Sequence, residues 1–385
     1  MVLLVKNANQ LSSFDSEPIP EEVTDQDREI FERITNTELT PEQREHILHP
    51  EETYPYQKDV LAVHWHPEYV PIDLAVGRIE AMFPTKEREL IIPTQHNELV
   101  ALGDFCGVEV DCYSRGFNQK VQLLLHFHTE RLASAPILRS MIEHTGTYRA
   151  SQLFEFMRTI TGPVTERLQA AARETGAGED LVSFVRLYVR KIEQLLEDSQ
   201  GQISDQVVKN KLLRNFFNEL RPQYGDQLID RAQAFLKAVK ELVKAEFPLQ
   251  YFYRTSEIIE EARLHGAGIV VPHPEQFWPI LLAEYDVDGY EVWNPQSRRY
   301  TDFLITVVNR KNLGLGLGRR RLLIFMGDDT HLSEKVRDPG VQDRDKAARE
   351  IGLQPAWDDL WIRKKLIKAG VDRPTVIKEY TERLI

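Results

Sequence analysis

Cysteine is nearly absent from this chain. Cys106 and Cys112 are the only two, they lie six residues apart, and neither belongs to a CxxC pair, which excludes a disulfide framework and a thiolate zinc site. Any metal must therefore be held by His, Asp and Glu. Long apolar runs are missing as well. No stretch approaches the roughly 20 residues that cross a bilayer, and the opening MVLLVKNANQ is too short for a secretory signal, so a cytoplasmic protein with no membrane partner is expected. Net positive charge is also lacking. A formal net charge of -12 ill suits a protein that covers nucleic-acid phosphates, an affinity resting on clustered Lys and Arg, so no nucleic-acid partner is expected. Internal repeats and low-complexity tracts do not occur.

What is present is a chain of 385 residues, 42% hydrophobic, enough for one large domain with additions or for two. Residues 1–57 are acidic and include the helix-like EEVTDQDREIFERI and TPEQREHILHP, which predicts a helical lead-in. Between 58 and 130 the runs VLAVHWH, ELIIPTQH, FCGVEVDCY and KVQLLLHFH read as buried strands, each with a histidine or an acid near its C-terminal end. From 131 to 250 apolar positions recur at helical spacing, as in SQLFEFMRTI, EDLVSFVRLYVRKIEQLLED and RAQAFLKAVKELVKAEF, so this stretch is read as a helical insertion. Because it follows the C-terminal end of a strand, it is expected to emerge on the catalytic side. Alternation resumes over 251–335, and 336–385 is read as a helical C-terminal segment. The pattern predicts an α/β barrel or a doubly wound sheet interrupted by a helical module.

Placement matters more than number among the eleven histidines. His64, His66, His96, His126, His273 and His331 close apolar runs, and in a parallel barrel the strand C-termini converge on one mouth. Side chains at i and i+2 of a strand share a face, so His64 and His66 are spaced to grip one ion together. Asp329 and His331 repeat that spacing. Glu109 in GVEVDCY and Asp329 in MGDDTHL are the acids in similar positions, and a bridging acid lets two divalent cations approach one another.

The ordered set HWH (64–66), PTQH (93–96), GVEV (107–110), LLLHFH (123–128), VVPHPE (270–275), DGYEVWN (288–294) and MGDDTH (326–331) resembles the successive motifs of the PHP family, the polymerase and histidinol phosphatase superfamily. The resemblance covers roughly residues 58–130 and 250–335. It implies a distorted seven-stranded (β/α) TIM-like barrel carrying a large α-helical insertion, with two or three divalent ions (zinc, manganese or iron) at its mouth. It implies that His64, His66, Glu109 and Asp329 hold one ion, that Glu109, His126 and His273 hold a second, and that His96 and His331 belong to a third. The activity implied is hydrolysis of a small phosphorylated metabolite or nucleotide by a metal-bound hydroxide. His331, His96 or a metal-bound water would protonate the leaving group, and Arg115 in YSRGF would meet the substrate phosphate. Two departures from the family pattern are visible. The usual TDH is TQH here, with Gln95 in place of an acid, and the further ligand normally found shortly after HxH is not evident, Glu68 and Asp73 being the nearest candidates for it.

Other features are read blandly. The glycine-rich NLGLGLGRRR (312–321) joins a helix to a strand and is expected at the face opposite the mouth. His46, His49, His144 and His265 are expected at the surface, and Arg254 and Arg299 as surface or structural arginines. Phe252, Tyr253, Phe277, Trp278 and Trp293 are expected mostly in the core. Two competing readings stay open: an amidohydrolase-like barrel acting on C–N or C–O bonds, and a non-catalytic barrel serving as a scaffold.

Overall fold

The computed structural model describes residues 19–385 apart from 164, 317, 319 and 341. The opening MVLLVKNANQ and two positions of the 312–321 loop lie outside the described residues. Among the described residues ten strands are formed: β1 (Asp59–Ala62), β2 (Trp65–His66), β3 (Arg88–Ile91), β4 (Val100–Leu102), β5 (Phe105–Ser114), β6 (Gln119–His128), β7 (Gly268–Val271), β8 (Gly289–Trp293), β9 (Leu323–Met326) and β10 (Thr330–His331). They make a six-stranded sheet in the order β4-β5-β6-β7-β8-β9 and two parallel pairs, β1-β3 and β2-β10. Every residue of β7, β8 and β9 is buried, as expected of strands covered on both faces.

The direction of β6 departs from the parallel arrangement expected of it. It runs antiparallel to both β5 and β7, whereas β7, β8 and β9 are parallel. The cause is the connection: β5 and β6 are joined only by residues 115–118, and a parallel pair needs a crossover of a dozen or more residues. The C-terminal end of LLLHFH therefore faces away from those of its neighbours. His126 pairs with Gly268, the first residue of β7.

Backbone hydrogen bonds continue beyond the strands. Ile92 N donates to Ala62 O (2.8 Å) and Thr94 N to Trp65 O (2.8 Å), while Glu109 N donates to Gln95 O (2.9 Å) and Asn97 N to Glu109 O (2.8 Å). At the other end of the sheet, Asp329 N donates to His64 O (2.9 Å). These bonds bring the segments after β1, β3 and β9 to the middle of β5 and to one another.

The chain divides into two compact units. One comprises Thr37–Gln152 and Glu246–Ile385, and holds all the strands. Its core joins the sheet residues Val108, Leu124, Ile269, Val292 and Phe325 to apolar side chains of the helices Thr255–Leu264, Thr301–Leu313 and Arg373–Leu384. The other unit joins the described residues of Met1–Asn36 to Leu153–Ala245. It is helical, with a core that includes Phe31, Phe156, Phe184, Phe217 and Phe235. Its helix Asp25–Thr35 begins with a capping box in which Thr24 and Asp27 satisfy each other's backbone N–H. The Asp27 oxygen that accepts from Thr24 N, Oδ2, also lies 2.7 Å from the buried Lys191 Nζ. Among the described residues no helix is long and apolar enough to cross a membrane.

Candidate metal centre

Seven side chains meet at one end of the sheet. His64 lies between β1 and β2, and His66 ends β2. His96 follows β3 and forms a parallel bridge with Glu109 in the middle of β5. His273 follows β7, and Asp329 and His331 follow β9. Glu109 occupies the centre, its two oxygens fanned between different imidazoles. Oε1 lies 3.3 Å from His273 Nε2 and 4.0 Å from His64 Nε2, whereas Oε2 lies 3.6 Å from His66 Nε2 and 2.5 Å from His96 Nδ1. Asp329 Oδ1 takes a similar position on the other side, 3.6 Å from His64 Nε2, 3.6 Å from His66 Nε2 and 3.4 Å from His331 Nε2. The His66 ring stacks between those of His96 and His331, with both centroids at 4.4 Å.

These groups are close yet poorly aligned to bond with one another. His64 Nε2, both ring nitrogens of His66, both Glu109 oxygens and His273 Nδ1 are buried without a hydrogen-bond partner. Buried polar atoms are normally paired, at a penalty of about 1–3 kcal/mol each when they are not. Several unpaired atoms converging on one small space fit a shared cation, and His with carboxylate oxygen is a donor set that Zn, Mn or Fe accepts. Three triads have ligand atoms mutually within 4.8 Å: His64, His66 and Asp329; His64, Glu109 and His273; and His66, His96 and His331. The residues therefore fit a bound metal.

The electrostatics agree. Burial alone would strip His64 of its proton, but Glu291, Asp329 and Glu109 outweigh it and push the ring up to about 10. Burial opposes ionisation of Glu109 too, yet His96, His273 and His64 hold its carboxyl well below the usual range. Asp329 is depressed in the same way by His331, His66 and His64 against its burial. Buried carboxylates kept ionised and a buried ring that retains positive charge mark a place where a cation is stabilised.

The backbone is strained around this cluster. Of five non-glycine residues with positive φ among the described residues, His273 (57°) and Asp329 (49°) belong to it, Glu68 (51°) lies beside its His331, and Asn97 (55°) follows His96. Such conformations persist only when the surroundings over-determine them, and they collect at functional sites.

Glu291, Arg349 and Gln296 support the cluster without a signal strong enough to single them out by sequence, and Glu68, one of the acids nearest the HxH, supports it too. Glu291, inside β8, places Oε1 2.6 Å from His64 Nδ1, which fixes the Nδ1–H tautomer and leaves Nε2 for a ligand bond. It needs Gly327 beside it, since a Cβ there would stand 2.0 Å from Glu291 Oε1. Arg349 and Gln296 both donate to Asp329 Oδ2, at 2.8 and 2.9 Å, so only Oδ1 faces the histidines. Glu68 accepts from Ser333 Oγ and lies 3.3 Å from His331 Nδ1, supporting that ring rather than entering the cluster.

Other expected participants stand elsewhere. His126 is not placed to ligate: Nε2 donates to Val63 O (2.8 Å) and Nδ1 meets Tyr380 Oη (2.7 Å), and burial pushes the ring down to about 3, hence neutral. The reversed strand explains it, because LLLHFH delivers His126 to the wrong end of the sheet. Arg115 sits exposed in the β5–β6 turn, six residues beyond Glu109 and so about 20 Å along an extended strand. Asp73 is exposed in the first turn of the helix Ile72–Met82. Gln95 is buried, with neither amide atom paired. In MGDDTH only the second acid joins the cluster; Asp328 turns to Gly352 N, Thr330 N and Gln354 Nε2. His46, His49, His144 and His265 lie outside the cluster, as do Arg254 and Arg299.

No family model matches the chain, and no curated protein matches it. Solved structures that match the chain include the following two. One is a protein from Bifidobacterium adolescentis provisionally named a metal-dependent phosphoesterase, at 15% identity over 83% of this chain and 99% of that one, with a TM-score of 0.40. The other is an amidohydrolase from Chromobacterium violaceum with bound sulfate and no metal, at 13% identity over 80% of this chain and 96% of that one, with a TM-score of 0.37.

Proposed function

We propose that the chain is a metal-dependent phosphoesterase of the PHP type, cytoplasmic, acting on a small phosphorylated metabolite or nucleotide at a centre of two or three zinc, manganese or iron ions. The observation that carries this reading is the Glu109 carboxylate, with one oxygen toward His64 and His273 and the other toward His66 and His96. That is the posture of an acid bridging two cations. A closed, distorted seven-membered barrel is supported by the hydrogen bonds that run from β1 to β3, through residues 95–97 to β5, across to β9, and from Asp329 and β10 back to His64 and β2.

Divalent ions held there would supply Lewis acidity, lowering the pKa of water and neutralising phosphoryl oxygens. The protein supplies orientation. Glu291 sets the His64 tautomer, Arg349 and Gln296 occupy the outer oxygen of Asp329, and Glu68 steadies His331. His96, with its side chain 35% exposed, is the cluster histidine most open to solvent and the best placed to pass a proton to a departing alcohol.

The test is metal content and phosphate-ester turnover of protein purified without chelators. At least two divalent ions per chain and chelator-sensitive hydrolysis are expected. Glu109→Gln should lose about 100-fold or more in turnover together with bound metal, whereas Arg115→Ala should stay within about twofold, being an exposed residue far from the centre. Metal-replete protein inactive on every phosphomonoester and phosphodiester tried would overturn the reading.

A further inference from the structure

Two residues beyond Glu109 on β5 lies Asp111, on the same face of the strand and therefore about 7 Å farther along it. Asp111 is 3% exposed. Its carboxylate receives Lys120 Nζ on Oδ1, and on Oδ2 it receives Arg149 Nε at 3.4 Å and Asn97 Nδ2 at 3.2 Å. Asn97 is the residue after His96, and its own Oδ1 accepts from Asp111 N at 2.8 Å. The helix that carries Arg149 approaches closely here, because Gly146 lies against Asn97, where a Cβ would stand 3.3 Å from the Asn97 carbonyl oxygen. One buried carboxylate needs one cation. Here two converge on it, and each remains partly open to water, Lys120 at 28% and Arg149 at 39% side-chain exposure. In a chain of net charge -12, a surplus positive charge fixed beside His96 and Glu109 calls for an anion.

We propose that Lys120 and Arg149, seated on Asp111, form a recognition site for a second anionic group of the substrate, so that the preferred substrates are phosphate esters bearing a further phosphate or carboxylate about 7 Å from the scissile phosphorus. This rests on the reading of the metal centre as a phosphoesterase site. Lys120 and Arg149 touch no metal-ligating atom, so they select among substrates and leave ion binding alone.

The experiment uses non-hydrolysable probes on metal-replete protein, followed by titration calorimetry. Methylphosphonate offers one anion, while 1,3-propylenebisphosphonate and 4-phosphonobutyrate offer two. At least one two-anion probe should bind about tenfold or more tighter than methylphosphonate, a difference of about 1.4 kcal/mol, and whichever binds tighter names the second anion. Arg149→Gln should bring that ratio below about threefold with methylphosphonate affinity and metal content unchanged, and Arg149→Lys should restore most of it. Asp111 keeps Lys120 and Asn97 in both variants, so the fold is retained, which melting curves would verify. Metal-dependent phosphonate binding with no two-anion preference, or a preference that survives Arg149→Gln, overturns this inference alone. Absence of metal-dependent binding by every probe overturns the phosphoesterase reading with it.

Discussion

Replacing Glu291 by Gln isolates the group that orients a ligand without removing any ligand. In the metal-free protein His64 is held up to about 10 against its burial, chiefly by Glu291 at 2.6 Å, with Asp329 and Glu109 behind it. At pH 7.5 the ring therefore carries a proton on Nε2, and a cation that takes this nitrogen must displace it. At 1.36 kcal/mol for each pKa unit, that competition amounts to roughly 3 kcal/mol. The sign follows: metal affinity of the wild type should rise about tenfold for each pH unit between 6.5 and 9, because each step removes the competitor. In Glu291→Gln the amide oxygen still accepts from Nδ1–H, but the charge that retained the Nε2 proton is gone, and the rise should level off above neutral pH. Loss of the orienting carboxylate should also weaken binding by about 10–100-fold where proton competition is small. The two effects oppose each other, so the variant should bind as tightly as wild type or more tightly below about pH 8 and fall behind it above about pH 9. Competition with a chromogenic chelator across that range measures both effects. Parallel curves of equal affinity would show that Glu291 does not govern His64, and a constant gap would refute the proton argument while sparing the orienting one.

Two further substitutions separate support from ligation. His126→Ala should leave the Val63 carbonyl and the Tyr380 hydroxyl unpaired in the core, destabilising the fold by about 2–4 kcal/mol in urea unfolding, yet bound metal should keep its wild-type stoichiometry; a lost ion would return His126 to the ligand set. Gly327→Ala, although residue 327 touches no ligand, should flatten the pH dependence of metal affinity as Glu291→Gln does, because the new Cβ displaces that carboxylate; an unchanged profile would mean that Glu291 has room to shift.

The sequence carried much of this centre because its signals are local. HWH, the histidine of PTQH, the acid of GVEV, the histidine of VVPHPE and the DxH of MGDDTH each sit where an apolar run ends, and the structure brings all of them together. The exception, His126, obeys the same local rule and fails for a non-local reason: the short link at residues 115–118, with Gly116 and a left-handed Asn118, is hairpin chemistry that reverses the following strand. That turn was there to be read. Glu291 was not, since an acid in the middle of YEVW looks like any polar residue on a half-exposed strand until β8 is seen to be buried on both faces. Arg349 was equally invisible, for it reaches Asp329 from a segment without regular structure.

The two-residue pairing of β2 with β10 has a consequence for how the chain holds together. Only Trp65 with Thr330 and His66 with His331 are in register there, so the backbone supplies little to fasten segments as far apart as Glu68 and His331, 263 residues along the chain. Closing so long a loop costs entropy before any contact rewards it. The same few residues present imidazole and carboxylate from both sides of the seam. A cation gripped by His64 or His66 on one side and Asp329 or His331 on the other would rivet the ends of that loop, and the unfolded chain, with those ligands scattered, could not hold it nearly as tightly. An ion at this position would thus be a cross-link in the tertiary structure as much as a reagent.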